Sequence, residues 1–286
     1  MKRTIYILIF TIIVTFLSSC IDVIELNLKD TEPRIVIEAT LDATDSTCHV
    51  IVTQTNDFYD NNIPIRMENL NIVLSKTNSD ESYNLHETIP GDYQADNIIA
   101  TPGDEFSITV TDNEGNTYTA KAVTPSMSPP FELFGFSIPF FVLFTSITEE
   151  DITYIDDDGN EVTLLFALTY WLDVPGEENY YRFKIFEDGE YQPRDYNFVD
   201  DGSATGDTLQ SGLNTPFKMG DTIVIQLLSI NKETYDYFDE LIEVLYSGMN
   251  STTPFNPHGN FDNGALGYFC IQQVQEQELI VEKFPF

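Results

Sequence analysis

The chain has 286 residues, and its 47 acidic side chains outnumber 13 Lys and Arg, leaving a formal net charge of −34. Phosphate contacts need Lys and Arg, so this balance excludes nucleic acid as a partner and argues against direct binding to an anionic lipid surface. It favours solubility, cations or a basic partner. The 13% aromatic content supplies the core material that a disordered acidic chain lacks.

In chain order, the first element is a secretory signal over residues 1–19. Lys2 and Arg3 form its basic start, Ile5 to Leu17 its apolar body, and Ser18 and Ser19 the small residues beside the cut. The segment is too short and wrongly flanked for a membrane-spanning helix. Leu17-Ser18-Ser19-Cys20 looks like a bacterial lipobox, which implies that Cys20 is lipidated and becomes the first mature residue. Each buried methylene of an acyl chain adds roughly 0.8 kcal/mol, so several chains on one residue anchor a protein without further lipid contact. The alternative is an ordinary secreted protein cut near Ser19. Residues 20–33 read as the lipidated Cys and a tether, acidic at Asp22 and Glu25 and ended by Pro33. That acidic patch resembles surface-export signals of Bacteroidota lipoproteins.

From residue 34 to 125 the hydrophobic period is two. Strands are expected at Arg34–Ala39, Cys48–Thr53, Leu70–Leu74, Phe106–Val110 and Thr117–Ala120, the last two joined through Asp112-Asn113-Glu114-Gly115-Asn116 as a hairpin turn. This spacing predicts an Ig-like or transthyretin-like β-sandwich, closed by Pro125, Pro129 and Pro130. Residues 126–286 are expected to form a second β-rich domain. Within it, Phe131 to Phe144 crowd apolar side chains into a broken segment, readable as buried strands or as a docking surface for a membrane partner. Phe134, Phe136, Phe140, Phe141 and Phe144 are the candidate contacts, with Gly264–Phe269 as a second contact surface. Strands follow at Val162–Trp171, Tyr180–Phe186, Thr222–Leu228 and Gly267–Ile271, with Leu279–Val281 as a short addition; residues 187–216 read as a long loop region. One amphipathic helix is expected near 231–247. Asn231 is its N-cap, Tyr235, Phe238, Leu241, Ile242 and Leu245 share a face, and Gly248 stops it.

The chemistry is sparse. His49, His86 and His258 are isolated, with no paired-ligand spacing, and the chain has no G-x-S-x-G, P-loop or dinucleotide fingerprint. Carboxylates abound, but nothing singles out a hydrolytic pair. Asp156, Asp158 and Asn160 offer oxygen ligands for calcium, yet the late bidentate Glu of a calcium loop is missing and Asp158-Gly159 reads better as a hairpin turn. Asp200-Asp201-Gly202 is the second acidic loop weighed for metal. No resident cofactor is expected. Cys48 and Cys270 lie far apart and read as two buried thiols rather than a disulfide. Tyr191 and Tyr196 are the candidates for stacking on a ligand of unknown identity.

One ordered set of motifs spans nearly the whole chain. It runs from the lipobox through Arg34-Ile35-Val36-Ile37-Glu38, Gly91-Asp92-Tyr93 and Pro102-Gly103-Asp104-Glu105-Phe106-Ser107-Ile108. It continues through Gly115–Ala120, Thr124-Pro125 and Asn179-Tyr180-Tyr181-Arg182-Phe183, and ends at Gly264-Ala265-Leu266-Gly267-Tyr268-Phe269. This order resembles the domain-of-unknown-function family numbered 4249, lipoproteins of Bacteroidota found beside TonB-dependent transporters. The resemblance implies a non-enzymatic outer-membrane lipoprotein, held by its lipid anchor and facing the cell surface in preference to the periplasm, that acts as accessory partner to a TonB-dependent outer-membrane β-barrel. It supplies no catalytic residue. A surface adhesion or assembly module and a surface glycan or peptide hydrolase are the alternatives.

Overall fold

A computed structural model describes residues 33–56, 64–137, 153–155, 159, 161–192, 197–202, 208–218, 220–247 and 255–281. Alternation of buried and exposed side chains builds the first half. Strands β1 (Ile35–Asp42), β2 (Thr47–Gln54), β3 (Ile65–Arg66), β4 (Asn71–Lys76), β5 (Ser82–Ile89), β6 (Asp92–Ala95), β7 (Glu105–Thr111) and β8 (Thr117–Val123) follow in order. Ile37, Ala39 and Leu41 of β1, Val50 and Val52 of β2, Ile72 and Leu74 of β4, and Phe106, Ile108 and Val110 of β7 fill one core from two facing layers. The β7–β8 hairpin turns where expected: Gly115 takes φ 87°, and Asp112 Oδ1 accepts from the Glu114 and Asn116 amides.

Tyr93 is the polar pin of this half. It is 1% exposed, accepts from the Leu70 amide at 3.1 Å and donates to the Met67 carbonyl at 2.9 Å. Tyr93→Phe strands both backbone groups and is expected to cost about 1–3 kcal/mol, read as a lower urea midpoint with unchanged m-value.

The second half contains β9 (Glu132–Ser137), β10 (Thr153–Ile155), β11 (Glu161–Leu172), β12 (Tyr180–Glu187), β13 (Glu190–Tyr191), β14 (Asn197–Asp200), β15 (Thr208–Lys218), β16 (Thr222–Ile230), helix α1 (Lys232–Ser247) and β17 (Leu266–Ile280). Strands β9, β10, β11 and β15 form a four-stranded sheet. Trp171, Tyr181, Phe183, Leu213, Phe217, Ile223 and Ile225 form the second core. Trp171 meets Tyr181 and Phe183 edge-on, at centroid distances of 5.3 and 5.5 Å. Tyr235 and Phe238 of α1 pack over the opposite side of the β12–β16–β17 sheet, with Phe238 stacked on Phe198 at 5.1 Å. Leu228 and Ile230, at the end of β16, are buried there.

Two expectations need correction. Residues 187–216 are not one loop, because β13, β14 and most of β15 lie there. Gly212 and Pro216 break the alternation of β15, whose register against β11 shifts between Phe166 and Leu168. The closing strand is also longer than its apolar stretch, since β17 runs unbroken through Gln272, Gln273, Gln275 and Gln277. These amides have partners: Gln273 donates to the Pro125 carbonyl, Gln275 to Ser128, and Gln277 to the Phe131 carbonyl. A period-two glutamine row thus fastens the proline-rich connector to the sheet.

Strand β17 joins the two halves. Its first part pairs in parallel with β1, from Val36 beside Leu266 to Asp42 beside Gln272. Its second part pairs antiparallel with β16, from Ile230 beside Gln272 to Thr222 beside Ile280. One sheet therefore continues from β12 through β16, β17 and β1 to β2. Phe261, Ala265, Phe269 and Ile271 sit in the core of the first half, across the 125/126 boundary that the sequence suggests.

Candidate functional site

Three chain segments meet beside α1 and leave a cleft of about 520 Å³. Pro102, Gly103 and Val123–Ser126 line it from the first half, Glu177–Tyr180 from the loop before β12, and Ser229–Glu233 from the β16–α1 junction. Asn231 places the last of these. Its main-chain oxygen accepts from the Thr234 and Tyr235 amides, and its Oδ1 accepts from Thr234 Oγ1 at 2.9 Å and from the Ile271 amide at 3.2 Å. The helix start is thereby tied to β17. Asn231→Ala, at an 8% exposed position, removes both bonds and is expected to lower stability by about 1–3 kcal/mol, measured by denaturant unfolding.

Glu177, Glu178 and Glu233 make the cleft wall acidic. Lys232 is the cation of the lining; it pairs with Asp236 at 2.7 Å and lies 5.6 Å from the Tyr180 ring centre. The Asp236 contact raises its pKa above the ordinary lysine value, so Lys232 stays charged. Tyr180 donates to Glu178 at 3.1 Å. Thr124 is 2% exposed, and its hydroxyl has no hydrogen-bond partner. The lining can hold a polar or cationic group by hydrogen bonds and charge.

Beside this cleft, Arg182 sits among rings. Its guanidinium lies 4.4 Å from the Phe238 ring centre and 5.4 Å from that of Phe198, and Nη2 donates to Tyr191 Oη at 3.0 Å. Tyr191 is 37% exposed and packs on Phe186 at 5.5 Å. Of the two stacking candidates, Tyr191 therefore helps hold Arg182, and Tyr196 lies outside the described residues. Cys20, Phe140, Phe141, Phe144, Asp156, Asp158 and Asn160 lie outside them as well. Phe134 and Phe136 belong to β9, whose register sets Phe136 beside Ala167, and their side chains are not among those described. Phe131, at the head of that segment, is 1% exposed in the second core. Strands β10 and β11 pair across residues 156–160, with Gly159 at φ 86°.

Gly264–Phe269 does not form an open contact surface. Gly267 and Phe269 are buried, and Arg34 Nε donates to the Gly264 carbonyl at 3.0 Å. The segment is the seam between β1 and β17. Two of the histidines have separate partners: His49 lies 2.6 Å from Asp92, and His258 2.8 Å from Glu240. Cys48 and Cys270 are both free and buried, one in the first core and the other beneath α1. Burial pushes their thiols up to about 12 and about 11, so both stay protonated at neutral pH.

The fold defines a mostly β protein of sandwich-like sheets, with one helix among the described residues. The chain belongs to the family described as Domain of unknown function (DUF4249), whose model matches residues 21–278. No curated protein matches it. Among solved structures it is similar to a two fibronectin type-III domain segment from chicken tenascin, at 14% identity over 69% of this chain and 90% of that one, with a TM-score of 0.21. It is also similar to the FN1–FN3 domains of chicken CNTN1, at 10% identity over 86% of this chain and 66% of that one, with a TM-score of 0.26.

Proposed function

We propose that this protein is a lipid-anchored lipoprotein of the outer membrane that binds without transforming its ligand and serves as accessory partner to a TonB-dependent β-barrel. The observation that carries the reading is Leu17-Ser18-Ser19-Cys20 at the end of a basic-then-apolar leader. The distance from anchor to body supports it. The first described strand starts at Ile35, and the intervening chain, fully extended, reaches at most about 50 Å. A body on such a leash stays within contact range of a barrel in the same membrane. The acidic cleft beside α1 is the ligand-sized concavity that this reading assigns to binding.

Two measurements test the proposal. Wild-type cells fed radiolabelled palmitate should yield a labelled protein in the membrane fraction, and Cys20→Ser should lose both label and fractionation. Pull-down from detergent-solubilised membranes at native expression should recover a large β-barrel protein. An unlabelled wild-type chain overturns the anchor; repeated recovery of the lipoprotein alone overturns the partnership.

A further inference from the structure

The sheet path that carries β17 ends at β13 on one side and at β8 on the other. Strand β13 is 2 residues long and offers little to pair with, whereas β8 presents an edge of 7 residues. A long edge of that kind is a template for another chain. The bonds at either end of the β7–β8 hairpin, from the Asp112 amide to the Asn116 carbonyl at 2.9 Å and from the Thr124 amide to the Asp104 carbonyl at 2.8 Å, set the alternation. The even-numbered residues of β8 therefore bond to β7, and Thr117, Thr119 and Lys121 turn their main-chain groups outward.

The segment before β17 takes up those groups. Asn263 Nδ2 donates to the Thr117 carbonyl at 2.7 Å, the Asp262 amide to the Thr119 carbonyl at 3.0 Å, and Asn260 Nδ2 to the Lys121 carbonyl at 3.3 Å. The Thr119 amide in turn donates to Asp262 Oδ1 at 2.6 Å. The partners descend β8 as the segment advances, which is the order of an antiparallel strand, yet residues 260–263 are not a strand. Side chains make most of these bonds, so the segment ends the sheet without presenting a ladder of its own. It is pinned independently of β8. Phe261 is buried in the first core, Asn260 also bonds the amide and carbonyl of Phe269, and the His258 amide donates to Glu240 of α1 at 2.6 Å. Positive φ at Asn263 and Gly264 then turns the chain into β17.

We infer that residues 260–263 are a strap that occupies the edge of β8 and so keeps this protein monomeric. Without the strap's bonds, β8 pairs with β8 of a second copy. An antiparallel pairing centred on Thr119 is two-fold symmetric: Thr119 exchanges both bonds with its counterpart, and Thr117 does so with Lys121 of the other copy. One patch thus serves both partners, and no like charges stand directly opposite. Lys121 already has Glu105 at 3.1 Å.

The test uses the full chain in detergent, its mass read by light scattering with the micelle subtracted. Wild type should stay monomeric at every concentration. Asp262→Ala with Asn263→Ala, which leaves the Asn260 bonds to Phe269 in place, should dimerise as concentration rises. Adding Thr119→Pro should return that variant to monomer, because proline removes the outward amide and is tolerated where an edge N–H faces away from the sheet. Hydrogen exchange at the Thr119 amide should quicken about tenfold in Asp262→Ala at concentrations where it is monomeric. If the double variant does not fold, Asp262→Ala alone is read for mass and for reversal by Thr119→Pro. The inference is overturned if the folded variant stays monomeric at the highest concentration, if its dimer survives Thr119→Pro, or if exchange at Thr119 is unchanged.

Discussion

Replacing Gly267 with Val should prevent folding. Gly267 has φ 97°, a conformation that a β-branched residue adopts only under strain. A Cβ placed there would lie 2.1 Å from the Ile37 carbonyl oxygen, which is main chain in the parallel β1–β17 ladder and cannot swing aside. Gly259 makes the matching demand from the other direction, since its own Cβ would lie 1.9 Å from the Gly267 carbonyl oxygen. Three backbone segments are layered here with no room for side chains. Strain and clash together place the expected cost at about 4–5 kcal/mol or more, a large share of a typical domain's stability. The measurement is soluble yield and circular dichroism, with Gly115→Ala as control. Gly115 also has positive φ, but no atom lies within 4 Å of its Cβ position, so the control should lose only the backbone strain, roughly 1–2 kcal/mol. A well-folded Gly267→Val protein would remove the tight seam from the account.

The second large effect concerns the first half expressed alone. A fragment of residues 33–125 contains β1 to β8 but lacks β17. It should show no cooperative unfolding transition. One edge of β1 would lose its partner from Val36 to Asp42, and the core would lose Phe261, Ala265, Phe269 and Ile271. Phe269 is fully buried, and removing a side chain of that kind costs about 3–5 kcal/mol even when its strand remains. Asn260 is lost too, and its side chain bonds both the amide and the carbonyl of Phe269. Joining residues 255–281 to the fragment through a flexible linker should restore a sharp melt. A fragment that melts cooperatively without the addition would make the first half an autonomous domain and β17 a dispensable cover.

The elements legible in the sequence are those whose apolar residues alternate. Ile35, Ile37, Ala39 and Leu41 announce β1, and Phe106, Ile108 and Val110 announce β7, because one face of each meets the core and the other does not. Helix α1 was readable from Asn231 and from the spacing of Tyr235 and Phe238. Strand β5 was not, since Leu85 is its single buried residue. Strand β15 hides behind Gly212 and Pro216, and the glutamines of β17 look like a polar tail until their carbonyl partners are seen. The cleft left no motif, because its lining comes from three segments, each about fifty residues from the next. Asp200-Asp201-Gly202 stands out as acidic in the sequence, but the pairing of Asp201 with Asn179 depends on how β12 and β14 align.

Arg34 spans 230 positions to reach the Gly264 carbonyl, and β1 meets β17 across the same interval. Pairings between such distant parts of a chain put folding in the slow range, milliseconds to seconds. A chain synthesised from its amino end delivers β1 early and β17 late. Throughout that interval one side of β1 carries unsatisfied amides and carbonyls, the configuration that recruits foreign strands. Safe maturation of this protein therefore depends on synthesis being quick, or on a holdase shielding β1 until the carboxyl end arrives.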